Sequence, residues 1–75
     1  MGRLRVLSGR DVCRILASHG FVEARRRGSH VVVQKVEAGR TVTVPIPDHS
    51  ELRIGTLLSI IRQSGVPRSE FERSS

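Results

Sequence analysis

The 75-residue chain has one cysteine, two phenylalanines, and neither tryptophan nor tyrosine. A single cysteine, Cys13, excludes an internal disulfide and any multi-cysteine zinc site. It sits in a helical pattern and reads as a small core or flank residue. So few aromatics argue against a sheet that stacks bases on its face. No apolar run approaches the ~20 residues of a membrane span. Met1-Gly2-Arg3-Leu4-Arg5 has no apolar h-region, so no secretory leader is expected. Val6 stands where a myristoylation signal carries a small hydroxyl residue. No membrane association and a soluble, cytoplasmic location are the expectation. HExxH, a Walker loop and a supported Ser-His-Asp set are all missing. The seven acids are scattered, so paired carboxylates for a metal site are lacking, and neither metal nor cofactor is expected. There is no repeat and no linker, and residues 1–75 read as one small domain. A chain this short buries only roughly 60% of its unfolded surface. Its site should therefore be shallow.

What the chain does have is cation. Twelve arginines and one lysine outweigh the seven acids, for a net charge of +6 and a pI near 11.5. Such a balance suits a polyanion: nucleic acid, anionic membrane or an acidic protein. Arginine leans toward phosphate, which its guanidinium grips with two parallel hydrogen bonds. Codon bias in a GC-rich genome is a competing, weaker account of arginine over lysine, and it does not account for the net charge.

Taken in order, residues 1–7 form a basic-apolar lead-in. Ser8 offers a helix N-cap, with Asp11 three residues on as its reciprocal partner. Val12, Ile15, Leu16 and His19 fall at i, i+3, i+4 and i+7, which predicts a helix over about 9–19 closed by Gly20. Phe21–Arg25 reads as a first strand and Gly28-Ser29 as a tight turn. His30–Val36 is a β-branched second strand, Glu37–Arg40 a hairpin connection, and 41–46 a third strand. Pro45 makes the end of that strand an edge, or takes it out of the sheet. Ile54, Leu57, Leu58 and Ile61 predict a second helical stripe, ended by Gly65. Ser69–Glu72 suggests a last helical turn with Phe71 as a lid, and 73–75 should fray. The order α-β-β-β-α predicts an α+β domain: a three-stranded antiparallel sheet with two helices on one face. That layout is of the double-stranded-RNA-binding-domain type.

The chemistry concentrates at Arg25-Arg26-Arg27-Gly28-Ser29-His30. Gly28-Ser29 lets backbone approach a ligand closely. An imidazole, whose unperturbed pKa is about 6.5, can take a proton from a ribose 2′-hydroxyl near neutral pH. Neighbouring arginines can stabilise charge building on phosphorus. Of the three, Arg25 and Arg27 should share a face, and Arg27 is nearest the turn. A solvated, idle His at a strand start is the competing reading. Val lies on both sides of the strand, so parity leaves the face of His30 undecided. His19 reads as a helix-end residue meeting the last carbonyls. His49 and Arg53 precede the second helix, whose unpaired first amides form a phosphate seat. His49 could cap that helix or meet a phosphate. Asp48, His49 and Glu51 are a weak metal set, and helix capping is the better reading for them.

Several stretches together resemble a known family. Gly28-Ser29-His30 opens a Val-rich strand. Thr43-Val44-Pro45 runs on toward His49. Gly55-Thr56-Leu57 and Ser59-Ile60-Ile61-Arg62-Gln63-Ser64-Gly65 follow, with Ser8-Gly9-Arg10-Asp11-Val12, His19-Gly20-Phe21 and Glu70-Phe71 around them. This set resembles the HicA toxins of bacterial and archaeal toxin–antitoxin systems over essentially the whole chain. Ile54 departs from a position often Lys or Pro in that family. The resemblance implies a double-stranded-RNA-binding-like fold used as an mRNA interferase, a metal-independent endoribonuclease that blocks translation. It implies that His30 is the essential catalytic residue, with Arg25, Arg26 and Arg27 at positions commonly basic or polar. It also implies mRNA and a HicB-type antitoxin as partners, the antitoxin covering the site. The toxin alone would be a monomer, forming a higher-order assembly with its antitoxin. RNA contact is expected at Arg25, Arg26, Arg27, Gly28, Ser29, His49 and Arg53. Two other classes fit the charge: a non-catalytic RNA-binding module of the same fold, and an interaction domain for an acidic protein.

Overall fold

The computed structural model describes residues 2–73. The elements run α1 (Gly9–Ala17), β1 (Val22–Arg27), β2 (His30–Glu37), β3 (Arg40–Pro47), α2 (Ile54–Ser64) and a 3-10 turn (Arg68–Phe71). The order is thus α-β-β-β-α. The strands form one antiparallel sheet in the order β1-β2-β3, the α+β arrangement of a double-stranded-RNA-binding domain.

Local chemistry starts α1. The Ser8 hydroxyl accepts the Asp11 amide at 3.0 Å, and the Asp11 carboxylate accepts the Ser8 amide at 3.0 Å. This reciprocal pair satisfies two of the donors a helix N-terminus leaves unpaired. The regular helix stops at Ala17, short of the expected 19. Ser18–Gly20 turn instead, and the Phe21 amide bonds the Leu16 carbonyl at 3.1 Å. Gly20 has φ +94°, the left-handed conformation glycine adopts without a Cβ clash. His19 meets a side chain rather than the last carbonyls: its Nε2 lies 3.1 Å from Glu70 Oε1.

The core lies between the helices and one face of β2 and β3. Val31 pairs with Ile46 and Val33 with Val44, so these four point to one side. There they join Val12 and Leu16 of α1, Leu57 and Ile60 of α2, and Phe71. Phe71 is fully buried, as its lid role requires. The α2 stripe differs from expectation. Leu57 and Ile60 are buried, while Ile54 is 58% and Leu58 40% exposed. Apolar residues at 57, 58, 60 and 61 offer two overlapping stripes, and packing on β3 selects the one centred on Leu57 and Ile60.

β1 runs two residues further than expected, through Arg27. Every side chain along it is exposed, so it pairs with β2 without joining the core. Arg73 does not fray: its amide bonds the Arg3 carbonyl at 2.8 Å, beside a Leu4–Glu72 bridge. The remainder of the expected fraying, at 74–75, lies outside the described residues.

Candidate nucleic-acid interface

The sheet has one face against the helices and one open face. Alternation from Val31 and Val33 puts His30, Val32 and Gln34 on the open side. This settles the side on which His30 lies. His30 is exposed, paired across β1 with Arg27 and across β3 with Pro47.

A β-bulge aligns the arginines with it. Glu23 pairs with Val33, but Arg25 pairs with Val32, leaving Ala24 as the extra residue. Simple alternation from Val22 would give Ala24 and Arg26 the open face. The bulge resets the parity, as such insertions re-aim side chains. Arg25 and Arg27 therefore join His30, Val32, Thr43 and Pro45 around a shallow groove of about 430 Å³. Val32 is only 5% exposed, yet it stands apart from the helix-side core. It is the apolar floor of this groove.

Arg26 points the other way. Its Nη1 lies 3.0 Å from Asp48 Oδ2, and Arg10 approaches the same carboxylate at 3.8 Å. Arg25 and Arg27 make no ion pair among the described residues. Of the three consecutive cations, then, two are free for a ligand and one is bound to the frame.

The Gly28-Ser29 turn is fixed from two directions. Gly28 has φ +57°, and Ser29 does not share that sign, the pattern of a two-residue loop with glycine first. The Ser29 carbonyl accepts the Asp48 amide at 2.7 Å. Asp48 thus joins the turn through its backbone and Arg26 through its side chain.

A second groove, of about 590 Å³, lies between β3 and α2. His30 and Pro45 border both grooves, so the imidazole stands on the ridge between them. Arg53, Gly55, Thr56, Ser59 and Gln63 line its α2 side. Arg53 is the N-cap residue of α2 and makes no side-chain capping bond. His49 is exposed and lines neither groove; its carbonyl accepts the Gly9 amide at 2.9 Å. Neither Asp48 nor His49 caps α2, contrary to expectation. The chain first dips inward at buried Leu52, whose amide bonds Leu7, and the helix begins only after that. Among the described residues no three His, Cys, Asp or Glu side chains gather to hold a metal.

Sequence reasoning missed Val32, Thr43, Ser59 and Gln63 as lining residues. A signal for α2 was present: Thr56, Ser59 and Gln63 fall at i, i+3 and i+7, a polar stripe flanking the buried one. The Gln63 amide donates to the Ser59 hydroxyl at 2.8 Å along it.

A larger groove, about 780 Å³, lies elsewhere, beside Arg3–Val6 and Glu72–Arg73. It contains no histidine.

The family model described as HicA toxin of bacterial toxin-antitoxin matches residues 9–66. That span holds both grooves and His30. No curated protein matches the chain.

Proposed function

The chain belongs to the HicA toxin family and is the toxin of a toxin–antitoxin system; from that premise we propose that it is a metal-independent endoribonuclease acting on mRNA, with His30 as its catalytic acid–base. The observation that carries this reading is the grouping of His30 with Arg25 and Arg27 around one open groove, neither cation occupied by a carboxylate.

In this mechanism the scissile phosphate sits over the His30 ridge. His30 removes the proton from the adjacent ribose 2′-hydroxyl. The 2′-oxygen bonds to phosphorus as the bond from phosphorus to the 5′-oxygen breaks. The leaving oxygen takes a proton from the imidazolium or from water. Arg25 and Arg27 hold the equatorial oxygens, where negative charge grows. Gly28 and Ser29 set the close approach at the turn, and Arg53 serves the neighbouring groove. Arg26 acts through Asp48 as part of the frame. His49 is at most peripheral to the RNA. An antitoxin of the HicB type neutralises the toxin by covering this groove.

The test is His30→Ala in the full chain. General acid–base catalysis contributes about 10²–10⁴-fold, so the variant should cleave RNA at least about 100-fold more slowly while melting at the wild-type temperature. A folded His30→Ala protein with undiminished cleavage overturns the catalytic assignment and leaves an RNA-binding module.

A further inference from the structure

Seven arginines beyond Arg25 make no ion pair among the described residues, and they fall into two groups. Arg3, Arg5 and Arg73 surround the groove of about 780 Å³. The others continue the site. Arg27 flanks His30, Arg53 lines the groove between β3 and α2, and Arg40 and Arg62 border a third depression of about 190 Å³ at the far end of the same two elements. Gln63 lines both the second and the third, so they join end to end.

The elements that build this trough run antiparallel. Pro45 and Pro47 of β3 lie beside the start of α2, and Arg40 and Val42 lie beside its end. From Arg53 to Arg62 the helix rises by about 14 Å, at roughly 1.5 Å per residue. From Pro47 back to Arg40 the strand spans about 23 Å, at roughly 3.3 Å per residue. The trough is thus long enough for several nucleotides. Its α2 wall carries hydroxyl and amide groups at Thr56, Ser59 and Gln63. Its one acid, Glu37, already bonds Lys35 at 2.9 Å. The exposed apolar residues of α2, Ile54 and Leu58, lie outside it. A protein interface would centre on such apolar anchors. A trough with cations, hydroxyls and amides spaced along it suits a phosphodiester backbone.

We propose that the RNA strand leaves the His30 ridge along the trough between β3 and α2, and that Arg40 and Arg62 clamp a phosphate several nucleotides from the scissile bond. This rests on the ribonuclease reading above. It adds a remote binding subsite, so the protein prefers a long strand over a short one for reasons unconnected with the chemistry at His30.

The experiment measures binding in the His30→Ala background, which keeps the RNA intact, by fluorescence anisotropy. Probes are a labelled single-stranded 12-mer and a labelled trinucleotide, each over a salt series. Arg40→Ala/Arg62→Ala is compared with Arg3→Ala/Arg5→Ala, which removes the same charge elsewhere. All four side chains are exposed, so folding is not at stake. Each single-strand phosphate contact contributes about 0.7 to the slope of log K against log salt. The Arg40/Arg62 variant, losing its one clamped phosphate, should therefore lose about 0.7 from the slope for the 12-mer. Its preference for the 12-mer over the trinucleotide should fall about fivefold at 0.1 M salt. The Arg3/Arg5 variant should keep that preference within about twofold. Equal losses in the two variants, or an unchanged preference in Arg40→Ala/Arg62→Ala, overturn the subsite. A variant that binds RNA normally but loses grip on the antitoxin overturns it too, assigning the trough to the protein partner. A native chain that shows this length preference yet never cleaves RNA overturns the nuclease reading and leaves the subsite standing.

Discussion

Gly9 is the position where one added methyl group should do most damage. It is the first residue of α1 and is buried. A Cβ there would overlap the Pro47 carbonyl oxygen, with the Pro47 carbonyl carbon at 3.0 Å and Asp48 Cα at 3.2 Å. All three neighbours are backbone, so no side chain can swing aside. The Gly9 amide also bonds the His49 carbonyl at 2.9 Å, which ties helix and turn together. Gly9→Ala must push α1 off the turn that follows β3. Overpacking costs about 1–3 kcal/mol, sometimes more, against a gain of at most about 1 kcal/mol in helix propensity. A net loss of about 2 kcal/mol is a large part of the roughly 4–11 kcal/mol available to a domain of this size. It corresponds to a fall in Tm of about 8–16 °C. The assay is thermal unfolding by circular dichroism, with Gly55→Ala as its counterpart. Gly55 lies in the first turn of α2, and an added Cβ meets nothing within 4 Å. That variant should gain about 0.5–1 kcal/mol. A Gly9→Ala protein melting at or above the wild-type temperature refutes the close-approach argument. Because Asp48 lies in the displaced turn, the variant should also loosen the Arg26–Asp48 pair and the Ser29 anchor.

Three further predictions concern single features. Backbone and hydroxyl bonds from Ser8, aided by Arg14, hold the Asp11 carboxyl below its ordinary value of 3.8. A depressed carboxyl pKa gives stability that is present above the unfolded pKa and lost as pH falls through the folded one. The Tm difference between wild type and Asp11→Asn should therefore be constant above about pH 5 and vanish at the acid end of the series; a gap that widens on acidification contradicts the capping box. Ala38 has φ +52° in the hairpin between β2 and β3, a conformation that disfavours a Cβ. Ala38→Gly should raise stability by about 1 kcal/mol in urea unfolding, and a destabilised variant would show that the turn carries no strain. Burial, with Glu23 and Asp48 nearby, raises the pKa of the Cys13 thiol. It should label with a thiol reagent at pH 8 more slowly than free cysteine, and at the free rate in denaturant; equal rates in both states place it on the open surface.

The sequence made the fold legible where one face of an element is buried. Ser8 with Asp11, the Val12/Leu16 stripe and the Val42/Val44/Ile46 alternation each reflect a single layer of packing. β1 offered no such pattern, because all its side chains are exposed. Its last two residues, Arg26 and Arg27, belong to the strand only through their pairing with Val31 and His30. Tertiary pairing, invisible in a run of arginines, decides that boundary. The face of α2 was ambiguous for the opposite reason: too many apolar residues allow two stripes, and only β3 chooses. His30 was hidden by Val32, which is buried beneath the arginine, threonine and proline side chains of the open groove rather than by the helices.

The placement of the site follows from the same economy of layers. Two helices cover one face of the sheet, and among the described residues no element covers the other. An uncovered face can carry cations without a desolvation penalty, and long arginine stems can shield a valine while their heads stay in water. The free face can therefore collect charge, and β1, which owes nothing to the core, is the strand able to supply it. What turns charge into a site is parity. The bulge at Ala24 sets Arg25 and Arg27 beside His30 and hands Arg26 to Asp48. Asp48 then fixes the turn between β1 and β2 through the Ser29 carbonyl. Of three identical residues in a row, two face the groove and one braces it, and that division depends on a single unpaired residue in an edge strand.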